Sequence, residues 1–253
     1  MAVDKIVDLI NAKLDREMTL FNFEFEKILL EIKKLVQIRA VELYKYPLKF
    51  DFAFQQILHD TGYYDLVNKF IDNSYDKTYG EIIALFKAGG LTVAFSVEDL
   101  EAIRAIKSLD LDFFSQIGLN ASQSLKADLY KYSLSDISKK DIIGNISKSL
   151  EDTDLARYSK TYAETAISNF NQSVIDLKSA GVTGEVYVYV GVRDKKTRSF
   201  CRCVLNHNKY YDKSNASRLK TDKRRAYNCR HIILPISLKD AKDDGYVQGS
   251  FSC

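Results

Sequence analysis

Val7, Leu14, Phe21, Ile28 and Leu35 recur every seven residues, and Met18, Phe25 and Ile32 each follow one of them by four. Neither proline nor glycine occurs from Met1 to Tyr46. The spacing puts these apolar side chains on one stripe and predicts a single helix roughly 60 Å long. The stripe must pack on something, either the core of the same chain or another subunit. Asn11 and Arg39 interrupt the heptads and argue against a long autonomous coiled coil, and Pro47 is expected to close the element. Further helices are predicted over Phe50–His59 and Tyr63–Lys87, then from Val97 through Lys107, from Ser122 to Lys131, and in a short element ending near Leu150. Ala88-Gly89-Gly90 is the clearest break. Ser96 with Asp99 three residues on is an N-cap signature. Thr153 can cap the next helix, in which Leu155, Tyr158, Tyr162, Ala166, Phe170, Val174 and Leu177 share a face and Gly181 stands where a terminating glycine belongs.

After Gly181 the period changes. Val186, Val188 and Val190 alternate with Tyr187 and Tyr189 between Gly184 and Gly191, which reads as a strand. A second apolar run, Ile232 to Leu234, ends at Pro235. The polar, glycine-free stretch between them, Asn206 to Tyr227, is too long for a hairpin turn and is expected to be a surface loop or a partly ordered excursion. The expected fold class is α+β. A mainly helical N-terminal body with a long first helix, residues 1–150, precedes a small C-terminal α+β module with a short antiparallel sheet, residues 151–253. Within that module the lead-in helix is placed at 153–180 and the strands and basic loop at 185–237.

Composition narrows the class. A chain of 253 residues with 46% hydrophobic content can bury a substantial core, which excludes predominant disorder. Asp4, Lys5 and Asp8 leave no apolar leader segment in the first ten residues, and no 18 apolar residues run together, so a soluble protein made in a cytoplasm is expected, with no membrane partner. Four cysteines, three of them close together, do not resemble a secreted disulfide framework, and reduced thiols are expected. The net charge of +3 conceals an asymmetry: Val182 to Cys253 holds 15 basic and 7 acidic residues, whereas the remainder holds 22 and 27. Between Arg193 and Arg230 the counts are 13 and 3, either a solvated basic face or a surface that attracts polyanions. Lys195, Lys196, Arg202, Lys209, Lys213, Arg218, Lys220, Lys223, Arg224 and Arg225 are its candidate phosphate-contacting residues.

Cys201, Cys203, His207, Cys229 and His231 offer five candidate metal ligands where a closed tetrahedral zinc site needs four. On strands, Cys201 and Cys203 would face one side, as would Cys229 and His231, so that two hooks could converge on one ion. Cys201, Cys203, Cys229 and His231 are the set so defined. Buried reduced cysteines and a Cys201–Cys229 disulfide are the other two readings, and no cofactor is assigned. Catalytic signatures are thin: no phosphate-binding glycine loop, dinucleotide fingerprint, H-E-x-x-H or G-x-S-x-G occurs. Cys201 with His207 could form a nucleophile pair, but nothing supplies an oxyanion hole, and His59 beside Asp60 reads as an ordinary surface residue. A non-enzymatic protein is expected.

The order Asp194-x-x-Thr197-Arg198-x-x-Cys201, then Asn228-Cys229-Arg230-His231, resembles the C-terminal domain of the phage Mu protein F-like family, the minor head or head-morphogenesis proteins of tailed bacteriophages. Lys209 and Pro235 stand at matching places, and the likeness covers about Thr153 to Ser237. Cys203 has no counterpart in the family pattern, and Lys223 to Tyr227 and Asn206 to Asn208 depart from it. The resemblance implies a structural virion component at the portal vertex or inside the procapsid, made in host cytoplasm. It would act in head assembly and DNA packaging or ejection, with portal or capsid subunits and nonspecific double-stranded DNA as partners, and with several copies at a symmetric vertex. The alternative is a cytosolic zinc-containing nucleic-acid-binding module. On the residues alone, Asp194 suits a turn in which it bonds Thr197 or backbone N–H groups, and Arg198 and Arg230 suit bridging to Asp194 or to carbonyls.

Overall fold

The computed structural model describes the chain except residues 1, 47–48, 136, 180–185, 196, 225–228 and 251–252. Pro47, Gly181, Lys196, Arg225 and Asn228 therefore lie outside the described residues. Six helices come first: α1 (Ala2–Lys45), α2 (Phe50–Asp60), α3 (Tyr63–Ala88), α4 (Val97–Ser133), α5 (Lys139–Glu151) and α6 (Asp154–Ser179). The order continues β1 (Val186–Val190), α7 (Ser199–Asn206), β2 (Lys209–Tyr211), α8 (Lys213–Lys220), β3 (Ile232–Ile236), α9 (Leu238–Asp243) and β4 (Val247–Gln248). A helical body with a long first helix followed by a small α+β module is what the pattern predicted.

The chain forms two compact units, interleaved along the sequence. One comprises Glu17–Asp72 and Lys107–Ala163; the other comprises Met1–Arg16, Asn73–Ile106 and Glu164–Cys253. The long helices α1, α3, α4 and α6 each contribute residues to both.

The all-helical unit is built on aromatic contacts. Phe21 of α1 packs 4.4 Å from the ring of Phe70 and 6.3 Å from that of Phe114, and the buried Tyr63 hydroxyl donates to the Phe114 carbonyl at 3.0 Å. Of the seven-residue stripe, Val7, Phe21, Phe25 and Ile32 are buried, but Leu14, Ile28 and Leu35 are only half-buried. Ile10, Val36 and Ala40 take inward places instead. A straight helix of 3.6 residues per turn drifts away from a strict heptad by about 20° each repeat, so the buried face walks off the seven-residue register. The two helices expected at 97–107 and 122–131 are one continuous α4. Phe114, Ile117, Ala121 and Leu125 carry its buried face through the intervening stretch at three- and four-residue spacing. Gly118 does not break it, because a Cβ there would stand 2.7 Å from Leu58 Cδ1: the glycine serves the close approach of α2.

In the second unit the Ser96 signature forms a reciprocal capping box. The Asp99 N–H donates to Ser96 Oγ (3.2 Å) and the Ser96 N–H donates to Asp99 Oδ2 (2.7 Å). The sheet runs β3-β1-β2-β4. β1 pairs antiparallel with β3 and β2, while β2 and β4 pair in parallel, so the sheet is mixed. Pro235 lies inside β3, paired with Tyr187, rather than ending it; β3 is an edge strand, where a missing N–H is tolerated. On the β3 edge the Ile233 N–H is taken up by Gln172 of α6, whose Oε1 accepts it at 3.0 Å.

The expected loop between residues 206 and 227 contains β2 and α8. Tyr211 is buried in the sheet, Asp212 caps α8 by accepting the Asn215 N–H at 2.7 Å, and Ala216 and Leu219 fill the space beneath. Two apolar residues in so polar a helix are too few to reveal its period.

Candidate functional site

The turn after β1 is closed by its own side chains. The Asp194 N–H donates to Thr197 Oγ1 (2.9 Å), the Thr197 N–H donates to the Asp194 carbonyl (3.1 Å), and the buried Thr197 hydroxyl lies 2.9 Å from the Val192 carbonyl. Arg230 Nη2 donates to both carboxylate oxygens of Asp194 at 2.7 Å, and its Nη1 lies 3.9 Å from Asp15 Oδ2. The two sequence segments, 36 residues apart, are thus tied by a charge-assisted pair. Arg198 takes the N-cap position of α7. Arg193 reaches the other end of that helix, donating to the Leu205 carbonyl at 2.7 Å, where the helix dipole favours a cation.

Residues Ser199–Asn206 are helical, not extended, and this corrects the expected ligand geometry. On a helix, Cys201 and Cys203 are about 200° apart around the axis and serve different neighbours. Cys201 faces the sheet, where its Sγ lies 3.9 Å from Cys229 Sγ; Cys229 Sγ is in turn 3.7 Å from His231 Nδ1. His231 Nε2 sits 2.9 Å from the Val192 carbonyl, and the imidazole stacks on the Tyr189 ring at 5.4 Å. The Tyr189 hydroxyl is 3.3 Å from Cys201 Sγ and 3.5 Å from Cys229 Sγ. Hydrogen bonding with Cys229, joined by burial, pushes the Cys201 thiol well above its ordinary range; burial does the same to the Tyr189 phenol.

Cys203 does not join that set. It forms a disulfide with Cys253, and Cys253 Sγ lies 3.5 Å from His207 Nδ1. The expected reduced state therefore holds for Cys201 and Cys229 only, and the pair considered for a disulfide is not the one that forms. Two groups of two cysteines and one histidine result, Cys201/Cys229/His231 and Cys203/His207/Cys253, with ligand atoms mutually within 4.8 Å in each. Only the first keeps both thiols free to bind a metal ion, because the sulfurs of the second are joined to each other. The roles of Cys253 and Tyr189 were not visible in the sequence. The four-residue spacing of Cys203 and His207 is a helical signal, legible only once that segment is known to be a helix.

The basic residues are spread over several elements. Lys195, Arg202, Lys213, Arg218, Lys223 and Arg224 are exposed, and Lys209 is half-buried in β2. Lys220 pairs with Asp176, Arg202 Nη2 donates to the Thr197 carbonyl at 3.1 Å, and Arg224 forms a two-bond pair with Asp222 while lying 4.6 Å over the Phe200 ring. His59 is exposed, 3.6 Å from Asp60, as expected. Among the described residues no helix is long and apolar enough to cross a membrane.

Comparison with known proteins gives no matching family model, no matching curated protein and no matching solved structure.

Proposed function

We propose that this chain is a non-enzymatic structural protein of a tailed-bacteriophage head, of the Mu F-like minor head kind. In this reading it docks on portal or capsid subunits in several copies, acts in head assembly and DNA packaging or ejection, and touches packaged DNA nonspecifically. The observation that carries it is the Asp194–Arg230 pair with Thr197 beneath it. Of the residues that carry the resemblance, Asp194, Thr197 and Arg230 meet in space, and they meet as a lock between two chain segments rather than as a nucleophile and base. Docking uses the outer face of α1, where Leu20, Phe23, Leu30 and Ile38 are exposed, since most of the long stripe is buried within the chain.

Lys195, Lys213, Arg218 and Lys223 are the exposed cations suited to phosphate contact. Four such contacts predict that log affinity for linear duplex DNA falls against log salt with a slope of about −3.6. Replacing the four by glutamine should flatten the slope. Absence of binding at low salt, or a slope near zero for the parent chain, counts against the DNA contact. Copurification with portal protein, lost on Phe23→Glu/Leu30→Glu, tests the docking; retention in the variant refutes that face.

A second reading, a cytosolic zinc-containing nucleic-acid-binding module, is favoured by the convergence of Cys201, Cys229 and His231. Detection of the chain in purified particles by mass spectrometry supports the first reading against the second.

A further inference from the structure

We infer that Cys201, Cys229 and His231 form a three-ligand site for one Zn2+ or a similarly borderline-soft divalent ion, with Tyr189 and the Val192 carbonyl as its supporting shell. This deepens the metal half of the second reading and is independent of nucleic-acid binding.

Three observations converge. The first is spacing. Zinc bonds of about 2.3 Å to sulfur and about 2.0 Å to nitrogen, at tetrahedral angles, separate two sulfurs by ~3.8 Å and a sulfur from a nitrogen by ~3.5 Å. The observed edges are 3.9 Å for Cys201 Sγ to Cys229 Sγ and 3.7 Å for Cys229 Sγ to His231 Nδ1. Two of the three edges thus match a coordination tetrahedron, and the third, from Cys201 Sγ to the His231 ring nitrogen, is within 4.8 Å, so binding asks for no more than a small side-chain adjustment.

The second is the histidine tautomer. Val192 offers only a carbonyl to His231 Nε2 at 2.9 Å, so Nε2 carries the proton and donates, leaving the Nδ1 lone pair on the side of Cys229 Sγ, 3.7 Å away. A ligating imidazole whose other nitrogen is tied to a carbonyl is the usual support for a bound metal. Gly191 preserves this placement, because a Cβ there would lie 2.4 Å from His231 Cδ2.

The third is Tyr189, whose hydroxyl stands 3.3 and 3.5 Å from the two sulfurs. As the metal binds, each thiol gives its proton to solvent and the sulfur becomes a thiolate; the phenol then donates to the charge so formed. The fourth coordination position is left to water. Cys203 and Cys253 are spent on each other in a disulfide and are not donors.

The full chain, purified under mild conditions and equilibrated with Zn2+ before desalting, should retain about one equivalent of zinc. Cys229→Ser should lose it, while the Cys203→Ser/Cys253→Ser double variant should keep it. Co2+ in place of Zn2+ should give a thiolate-to-cobalt charge-transfer band that Cys229→Ser removes. Tyr189→Phe should weaken zinc binding about 10-fold. His231→Gln alters a buried residue; if it does not fold, the half-buried Cys229→Ser carries the test. Retention of less than about a tenth of an equivalent by the parent chain, or full retention by Cys229→Ser, overturns the assignment. DNA binding is measured on the same samples: its loss with zinc retained refutes nucleic-acid binding alone, and zinc absent with DNA binding intact refutes the site alone.

Discussion

Two groups of identical composition, each two cysteines and a histidine, are rooted on one eight-residue helix and have different fates. Cys201 is buried against β1 and meets Cys229 at 3.9 Å, with the Tyr189 hydroxyl 3.3 and 3.5 Å from the two sulfurs and an imidazole fixed by a backbone carbonyl. Cys203, on the other side of α7, is half-buried and closes a disulfide to Cys253 beside His207. Residue type does not separate a metal site from a cross-link. The surroundings do: one pair is spaced for an ion and given hydrogen-bond donors, whereas the other is brought to bonding distance.

The largest effect that would break this contrast is reduction. Closing a loop across 50 residues of sequence restricts the unfolded chain by about 4 kcal/mol in the chain-entropy account. Urea denaturation with and without reductant should show a loss of that order, and Cys203→Ser should reproduce it without reductant. Equal stability under both conditions would mean that the second group behaves as free thiols, like the first.

Gly191→Ala sharpens the contrast from the other side. The added methyl would meet His231 Cδ2 at 2.4 Å and its Cα at 2.9 Å, and backbone cannot yield as a side-chain tip can. A cost of about 1–3 kcal/mol is expected, with zinc retention falling while thiol titration of the unfolded protein still counts only two free cysteines. Unchanged zinc retention would show that the His231 position is not what defines the first group.

The smallest effect concerns the Asp222–Arg224 pair beside α7. Arg224 hydrogen-bonds Asp222 and holds its carboxyl down at about 2, while stacking over Phe200 of α7. A carboxylate whose folded value lies below its unfolded value of about 3.9 adds stability above about pH 4, and that stability is lost as the pH falls toward 2. Arg224 is exposed and salt reaches the pair, so the change is slight. Comparing denaturation midpoints near pH 5 and near pH 2.5, Arg224→Gln should remove this part of the acid sensitivity and leave both cysteine groups as they are.

Much of the architecture was legible in local pattern. The proline- and glycine-free run predicted α1, the Val/Tyr alternation predicted β1, and Ser96 with Asp99 predicted the cap that forms. The Asp194 turn and its bond to Thr197 followed from side-chain chemistry alone, and Arg230 was one of two arginines named to bridge to it. Legibility failed where the period was too short to register. Eight residues, Ser199–Asn206, contain two helical turns but also a Cys-x-Cys spacing that reads equally as a strand, and α8 shows only Ala216 and Leu219 to the core. The expected convergence of Cys203 with Cys201 fell with that misreading.

The sequence by itself determined the long helices of the body and the first strand, where the positive charge gathers, and that scarce sulfur and imidazole donors are concentrated near the C-terminal strands. These are properties of neighbours within about a turn or a strand pair, where backbone sterics and apolar periodicity act directly. Only the tertiary structure decided the partners: Cys229 and His231 for Cys201, Cys253 for Cys203, Arg230 for Asp194, and a division into two units interleaved along the chain. Those pairings join residues 28 to 50 positions apart, and such distances close only when the packing of α7 and β3 on β1 brings the donors together.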